Sequence, residues 1–287
     1  MDKTKDIIFD VFRFQIVPIS STNQMVLFSE FTNVDDLKAN KNLYFSTVLK
    51  ANNSYYNKQN ETLPYKSIYS EDDLIVFRLA AKKGRIIQDS NFTQKQVEDY
   101  PDVLVIINNN PEIQKIAISR NIQAFSSSDV VLHILESKYR DLLRAYNLQI
   151  YIKPIFKTFE FWQIANQYEG RVEGLEFELI KPNMSNISGS LRESFKSIID
   201  TTNSHTTKLV MKAPEDSSLE HIDSNNEDLK GMVDYASEGG GEISIKVKGI
   251  KRKIKTKKSS TQVSIDSIEL TGNPNAVITA YNKIIGS

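Results

Sequence analysis

Eight of the thirteen residues from 246 to 258 are cations: Lys246, Lys248, Lys251, Arg252, Lys253, Lys255, Lys257 and Lys258. The whole chain of 287 residues has a formal net charge of zero, so this density is local. Ile243, Ile245, Val247, Ile250 and Ile254 interleave with the cations, which is the spacing of a β-strand and not of a solvated tail. A row of cations on a rigid strand suits a polyanion, and the chemistry it offers is contact with phosphate. With Gly249 as a bulge, Lys251, Lys253, Lys255 and Lys257 fall on one face, and Ile250 and Ile254 on the other. If about five such cations met phosphates on duplex DNA, log affinity would fall against log salt with a slope of roughly −4 to −5. Nothing in the segment is suited to reading bases. Two other readings compete. The lysines could guard an exposed sheet edge, or they could pair with the chain's own acids, since residues 215–238 hold eight Asp or Glu just upstream.

Gly239, Gly240 and Gly241 stand between those acids and the cations. They do not form a phosphate loop, because they lead into a strand and no Gly-Lys-Ser/Thr follows. They read as a helix stop and a hinge.

The remaining constellations are weaker. Asp129 with Glu136 and Lys138 has the composition of a nuclease metal core. The spacing lies inside a helical pattern, however, where side chains two apart diverge by about 200°. His133, His205 and His221 lack the spacing of metal ligands. Glu176 and Glu178, with Glu173 nearby, share one face of a strand; they could hold a divalent cation or form the wet face of an edge strand. No catalytic residue, metal site or cofactor is assigned. Binding without catalysis is favoured over a metal-dependent nuclease and over a protein-interaction subunit in which the acidic and basic segments meet across a dimer or a partner.

The elements that must position these groups follow from the apolar pattern. Hydrophobic residues at 40% and charged residues at 25% suit a soluble globular chain with a core that needs no staple. The absence of cysteine removes disulfides, thiolate metal sites and cysteine nucleophiles. No apolar run approaches the roughly 20 residues of a membrane span. Residues 1–6 lead into a strand-like pattern without a signal-peptide core, so a cytoplasmic location is expected.

Residues 7–17 are apolar on both faces and read as a central strand, with a short strand at 25–28. Asn33 caps a helix from Val34, with Asp35 and Asp36 in its first turn and Leu37, Tyr44, Phe45, Val48 and Leu49 inside. Residues 51–64 read as a loop. Residues 74–79 read as a strand with 85–87 as its hairpin partner, and 92–100 as a helical turn. Residues 103–107 and 115–119 pair antiparallel across an Asn-Pro turn. Ser128 and Asp129 open the clearest helix, with Val131, Ile134, Leu135, Tyr139, Leu142 and Leu143 at helical spacing. Strands at 148–154, 175–182 and 208–212 alternate with helices at 159–168 and 191–199. An acidic helix through Leu229, Met232, Val233 and Ala236 precedes the basic strand. Residues 261–270 are expected to pair with that strand, and Asn273 and Pro274 to open a last helix. The expected fold is α+β, in two lobes at 1–157 and 158–287. Their sheets are mixed or antiparallel, and a C-terminal basic β-hairpin is followed by a short helix.

The order of a strand leaving through Ile180-Lys181-Pro182, a helix, a strand, an acidic helix, a glycine-rich turn and a basic hairpin resembles an uncharacterised bacterial family found near prophage and defence genes. More distantly it is similar to RexA-type phage-exclusion proteins. That resemblance implies a two-lobed homodimer that binds DNA, more than RNA, without sequence preference. It also implies a sensor or regulator that signals to a partner effector protein. It carries no catalytic residues.

Overall fold

The computed structural model describes residues 6–19, 33–51, 54–256, 261–270 and 274–286. Lys257, Lys258, the short strand expected at 25–28 and the Asn273 cap lie outside the described residues. The fold is α+β with largely antiparallel pairing. The chain forms two compact units, each discontinuous in sequence. One comprises Met1–Asp10, Asn42–Tyr146 and Gln262–Ser287, and the other Val11–Lys41 and Asn147–Thr261. A division at 157 follows chain order, whereas these units interleave along it. Strand β1 (Asp6–Pro18) and helix α1 (Val34–Ala51) each contribute to both.

In the first unit, β4 (Tyr65–Glu71), β5 (Leu74–Ala80), β8 (Asp102–Asn108) and β9 (Lys115–Ser119) are consecutive neighbours in one sheet. The runs LIVFRLA and DVLVIIN are apolar without alternation because β5 and β8 are central and mostly buried. The start of β1 pairs antiparallel with β15 (Gln262–Asp266), from Asp6 opposite Asp266 to Asp10 opposite Gln262. The expected hairpin between residues 261–270 and the basic strand is therefore replaced by a pairing with the other end of the chain.

Helix α2 (Ser128–Leu143) buries Val131, Leu135, Tyr139 and Leu143, as its spacing predicts. Helix α7 (Pro274–Gly286) buries Ala280, Tyr281, Ile284 and Ile285. The α2 cap differs from expectation. Ser127 takes the N-cap position, and Ser128 donates its hydroxyl to Asp10 at 2.6 Å. Asp10 also accepts two bonds from Arg120, at 2.7 and 2.8 Å. This 4% exposed carboxylate thus ties β1, the end of β9 and the start of α2 together.

Two short pieces depart from the sequence reading. The expected loop at 51–64 contains β2 (Tyr55–Tyr56) paired with β3 (Thr62–Leu63). The expected helical turn at 92–100 contains strand β7 (Gln94–Asp99), which pairs with β6 (Lys83–Gln88). Residues 85–87 therefore pair with 95–97, while β5 pairs with β4 and β8. The signal was hidden because β6 and β7 are exposed almost throughout, so no core face imposes alternation on them.

In the second unit, Asn33 caps α1 through its side chain, accepting from Asp36 N–H at 2.8 Å. Residues 12–18 of β1 pair antiparallel with β10 (Leu148–Pro154). A four-stranded antiparallel sheet runs in the order β12 (Thr206–Lys212), β11 (Val172–Ile180), β13 (Gly241–Val247), β14 (Ile254–Lys255). One face of it packs Leu175, Phe177, Leu179, Ile243, Ile245 and Val247 into an apolar core. That core includes Phe161 of α3 (Thr158–Gln167), Ile187 of α4 (Ser185–Ser188) and Leu229 and Val233 of α6 (Glu227–Tyr235). Phe195 of α5 (Glu193–Thr201) packs at its margin.

Candidate nucleic-acid interface

The basic segment folds as a compact hairpin rather than one long strand. β13 ends at Val247, the chain turns through 248–253, and β14 returns with Ile254 opposite Ile245 and Lys255 opposite Ser244. Gly249 is the turn residue, not a strand bulge. Its φ of 79° lies in the left-handed region, and Ile250 N–H donates to the Val247 carbonyl at 3.1 Å. Because β14 has two residues, the Thr256 side chain takes over where the ladder stops. Its buried Oγ1 accepts from Ile243 N–H at 3.2 Å.

The three glycines that lead into β13, Gly241 being its first residue, are all buried and tightly approached. Residues Ala236–Gly240 form a single π-turn at the end of α6, with Gly239 at φ 84°. A Cβ on Gly239 would lie 2.4 Å from Arg13 Cβ, on Gly240 2.5 Å from the Tyr235 ring, and on Gly241 2.4 Å from the Glu178 carbonyl oxygen. Close packing on strands β1 and β11, and for Gly240 on the Tyr235 end of α6, accounts for all three. Gly239 also accepts a bond from Gln15 Nε2 at 3.2 Å through its carbonyl. Beside it, buried Arg13 meets Glu238 at 3.2 Å.

The sheet face opposite the core carries the charges. Register places Glu178 between Lys208 and Glu242, and Glu176 between Val210 and Ser244. β11 is an interior strand, so these glutamates are not the wet face of an edge strand. They anchor lysines. Glu176 binds Lys253 in a short contact, Glu178 binds Lys153 at 2.8 Å and Lys208 at 3.0 Å, and Glu242 faces Lys255. The Lys253 ammonium holds the Glu176 carboxyl below its ordinary pKa. Burial pushes Glu178 upward, but Lys153 and Lys208 outweigh it and its pKa is also lowered. A divalent cation at Glu176 and Glu178 would have to displace these ammonium groups. Among the described residues no cluster of three or more His, Asp or Glu is arranged to hold a metal ion.

The eight basic positions therefore divide by role. Lys253 and Lys255 are paired to Glu176 and Glu242, and Lys246 donates to the Ile250 carbonyl at 2.7 Å, closing the turn. Lys248, Lys251 and Arg252 are exposed at the hairpin tip, with no ion pair among the described residues. The structure adds Arg171, which the sequence reading missed because it lies far away in the chain. Its Nη2 donates to the Lys248 carbonyl at 3.0 Å, and its own carbonyl accepts from Lys248 N–H at 2.8 Å. Its guanidinium lies 5.7 Å from the Tyr168 ring centroid. Four cations thus gather on a braced turn.

The expected partnership between the basic strand and residues 215–238 does not appear among the described ion pairs; the acids used come from β11 and β13. Glu136 and Lys138 also separate, as a helix requires. Glu136 faces Arg140 at 3.5 Å, and Lys138 stands 3.8 Å over the Tyr55 ring. His133 is exposed on α2 and His221 is exposed in a loop. His205 shares a hydrogen bond with the Tyr151 hydroxyl at 3.2 Å, and burial with nearby Lys181 lowers its pKa. Among the described residues no helix is long and apolar enough to cross a membrane. No family model and no curated protein matches the chain.

Proposed function

We propose that the chain is a non-enzymatic nucleic-acid-binding protein that grips the phosphate backbone with little sequence preference. The observation that carries this reading is the hairpin tip, where exposed Lys248, Lys251 and Arg252 are braced by Arg171 and carry no ion pair among the described residues. Four cations at phosphates give a salt slope of about −3 to −4, shallower than eight free cations would give. DNA, and a role as sensor or regulator in anti-phage defence that acts through a partner effector, are what the resemblance adds to this reading. The nuclease alternative would rest on Glu176 and Glu178, which already hold lysines.

A gel-shift series at low salt tests the proposal. Wild type should retard duplex DNA, and a variant with Lys248, Lys251 and Arg252 changed to Glu should not. Equal retardation by both, or none by wild type, would sink the reading. Magnesium-dependent cleavage that disappears in Glu176→Gln/Glu178→Gln would instead establish the nuclease.

A second reading, self-association, rests on the arm formed by β6 and β7. A lone two-stranded ribbon is marginal in water, and this one leaves Ile86 69% and Phe92 82% exposed. Its Lys83, Arg85 and Lys95 balance Asp89, Glu98 and Asp99, so the arm suits a second copy of itself. Sedimentation should show a dimer that Ile86→Glu/Phe92→Glu converts to monomer; a wild-type monomer at every concentration would exclude it.

A further inference from the structure

A cavity lies in the first unit, to which the basic hairpin does not belong. It is an open cleft of about 690 Å³ between α2, the β2–β3 hairpin and the start of β6. Helix α2 builds one wall. Val131, Leu135 and Tyr139 face the core, whereas His133, Ile134, Ser137 and Arg140 line the cleft at helical spacing. The helix is therefore patterned on two sides, and the second side covers no core.

The opposite wall is a built turn. Asn57 Oδ1 accepts from Gln59 N–H at 3.0 Å and Glu61 N–H at 2.9 Å, and Asn57 Nδ2 donates to Glu61 at 2.7 Å. These bonds hold Glu61 in the turn and leave neighbouring Lys58 exposed. Leu63, Ala81, Ala124 and Phe125 add an apolar floor.

The lining charges are unbalanced. Lys58, Lys82, Lys83 and Arg140 line it with two carboxylates, Glu61 and Glu136; Lys82 is also paired to Glu98 outside the lining, which leaves a formal excess of one positive charge, four minus three. Arg140 meets Glu136 at 3.5 Å through Nη2, but its buried Nε has no hydrogen-bond partner. The Arg140 side chain is 40% exposed, so the cation itself is open to an anionic ligand. Phosphate monoesters carry about −1.5 to −2 charge near neutral pH, opposite in sign to the excess. Inorganic phosphate would leave the apolar floor bare, and the volume is that of a small organic ligand.

We propose that this cleft binds a small organic phosphate of mononucleotide size. The phosphate sits between Arg140 and His133 on the helix wall and Lys58 on the turn wall, and the planar portion on Phe125 and Leu63. The site is separate from the hairpin tip, so either assignment can fail alone.

Calorimetric titration of the full chain with adenosine monophosphate, adenosine and inorganic phosphate tests it. Adenosine monophosphate should bind saturably below about 1 mM, and the two fragments at least about tenfold more weakly. Arg140→Gln should weaken the nucleotide about tenfold, and so should His133→Ala, which alters an exposed residue and preserves the test if the first variant misfolds. Lys66→Gln, outside the cleft, should change nothing. Three results would overturn the proposal. One is no saturation by the monophosphates of adenosine, guanosine, cytidine or uridine. Another is unchanged binding in folded cleft variants. The third is binding lost in the Lys248, Lys251 and Arg252 variant but kept in the cleft variants.

Discussion

The Lys255 ammonium stands 3.0 Å from Glu242 Oε1, near enough for an ion pair but without hydrogen-bond alignment. Lys255 lies on β14 and Glu242 is the second residue of β13 beside it, so the second arm of the basic hairpin is neutralised by the first. Lys253 is held in the same way by Glu176, one strand further on. The segment is densest in charge where its charge is already matched, and open at the turn.

Releasing a matched lysine should strengthen the grip on phosphate. Glu176→Gln removes the carboxylate that holds Lys253. Affinity for duplex DNA should rise about two- to fivefold, the range expected of an exposed ion pair. The salt slope should steepen by about one. A fluorescence-anisotropy titration at several salt concentrations reads both; an unchanged slope would show that Lys253 does not reach the backbone.

Acid should loosen the charged sheet face. The pKa values of Glu176 and Glu178 are lowered in the fold, so the unfolded chain binds more protons as pH falls. Their contribution to stability is present above the ordinary glutamate range and lost as pH drops through their lowered values. Urea midpoints should decline between about pH 5 and about pH 3, and less steeply in Glu176→Gln/Glu178→Gln. Parallel declines in both proteins would place the acid sensitivity elsewhere.

Gly239 tolerates no side chain. Alanine there would set its Cβ 2.4 Å from Arg13 Cβ at a backbone φ of 84°. Gly239→Ala should cost about 2–4 kcal/mol, from strain and overpacking together. Denaturant unfolding measures it. A loss below about 0.5 kcal/mol would mean that the π-turn can yield.

Removing the Asp10 carboxylate should be equally severe. It takes two bonds from Arg120 and one from Ser128. Asp10→Ala should destabilise by about 3–5 kcal/mol, as breaking a buried pair does. Asp10→Asn, which can still meet some of these donors, should lose less. Equal losses would show that the charge, and not volume or the hydrogen bonds an amide can keep, is what the site needs.

The sequence was informative where one segment meets the core by itself. Asn33 capping α1, the two apolar faces of β1 and the core stripe of α2 followed from periodicity and local hydrogen bonding. It was uninformative where the partner was remote. Nothing local distinguishes β15 pairing with β1 from β15 pairing with the basic strand, since both provide an apolar antiparallel edge. The β6–β7 arm was missed because it has no buried side to impose a period. In the candidate interface, cation density was visible, but which cations were free was not. That depended on Glu176 and Arg171, both more than one element away.

Strand β1 carries a consequence for how the protein is made. Residues 6–10 find their partner in β15, which is made some 252 to 260 residues later in the chain (262 minus 10 and 266 minus 6). A nascent chain stopped anywhere before 262 would present the Ile7–Phe9 edge without that cover. Chaperone binding at Ile7–Phe9 of such stalled chains should therefore persist until residues 262–266 have been made and folded back onto β1.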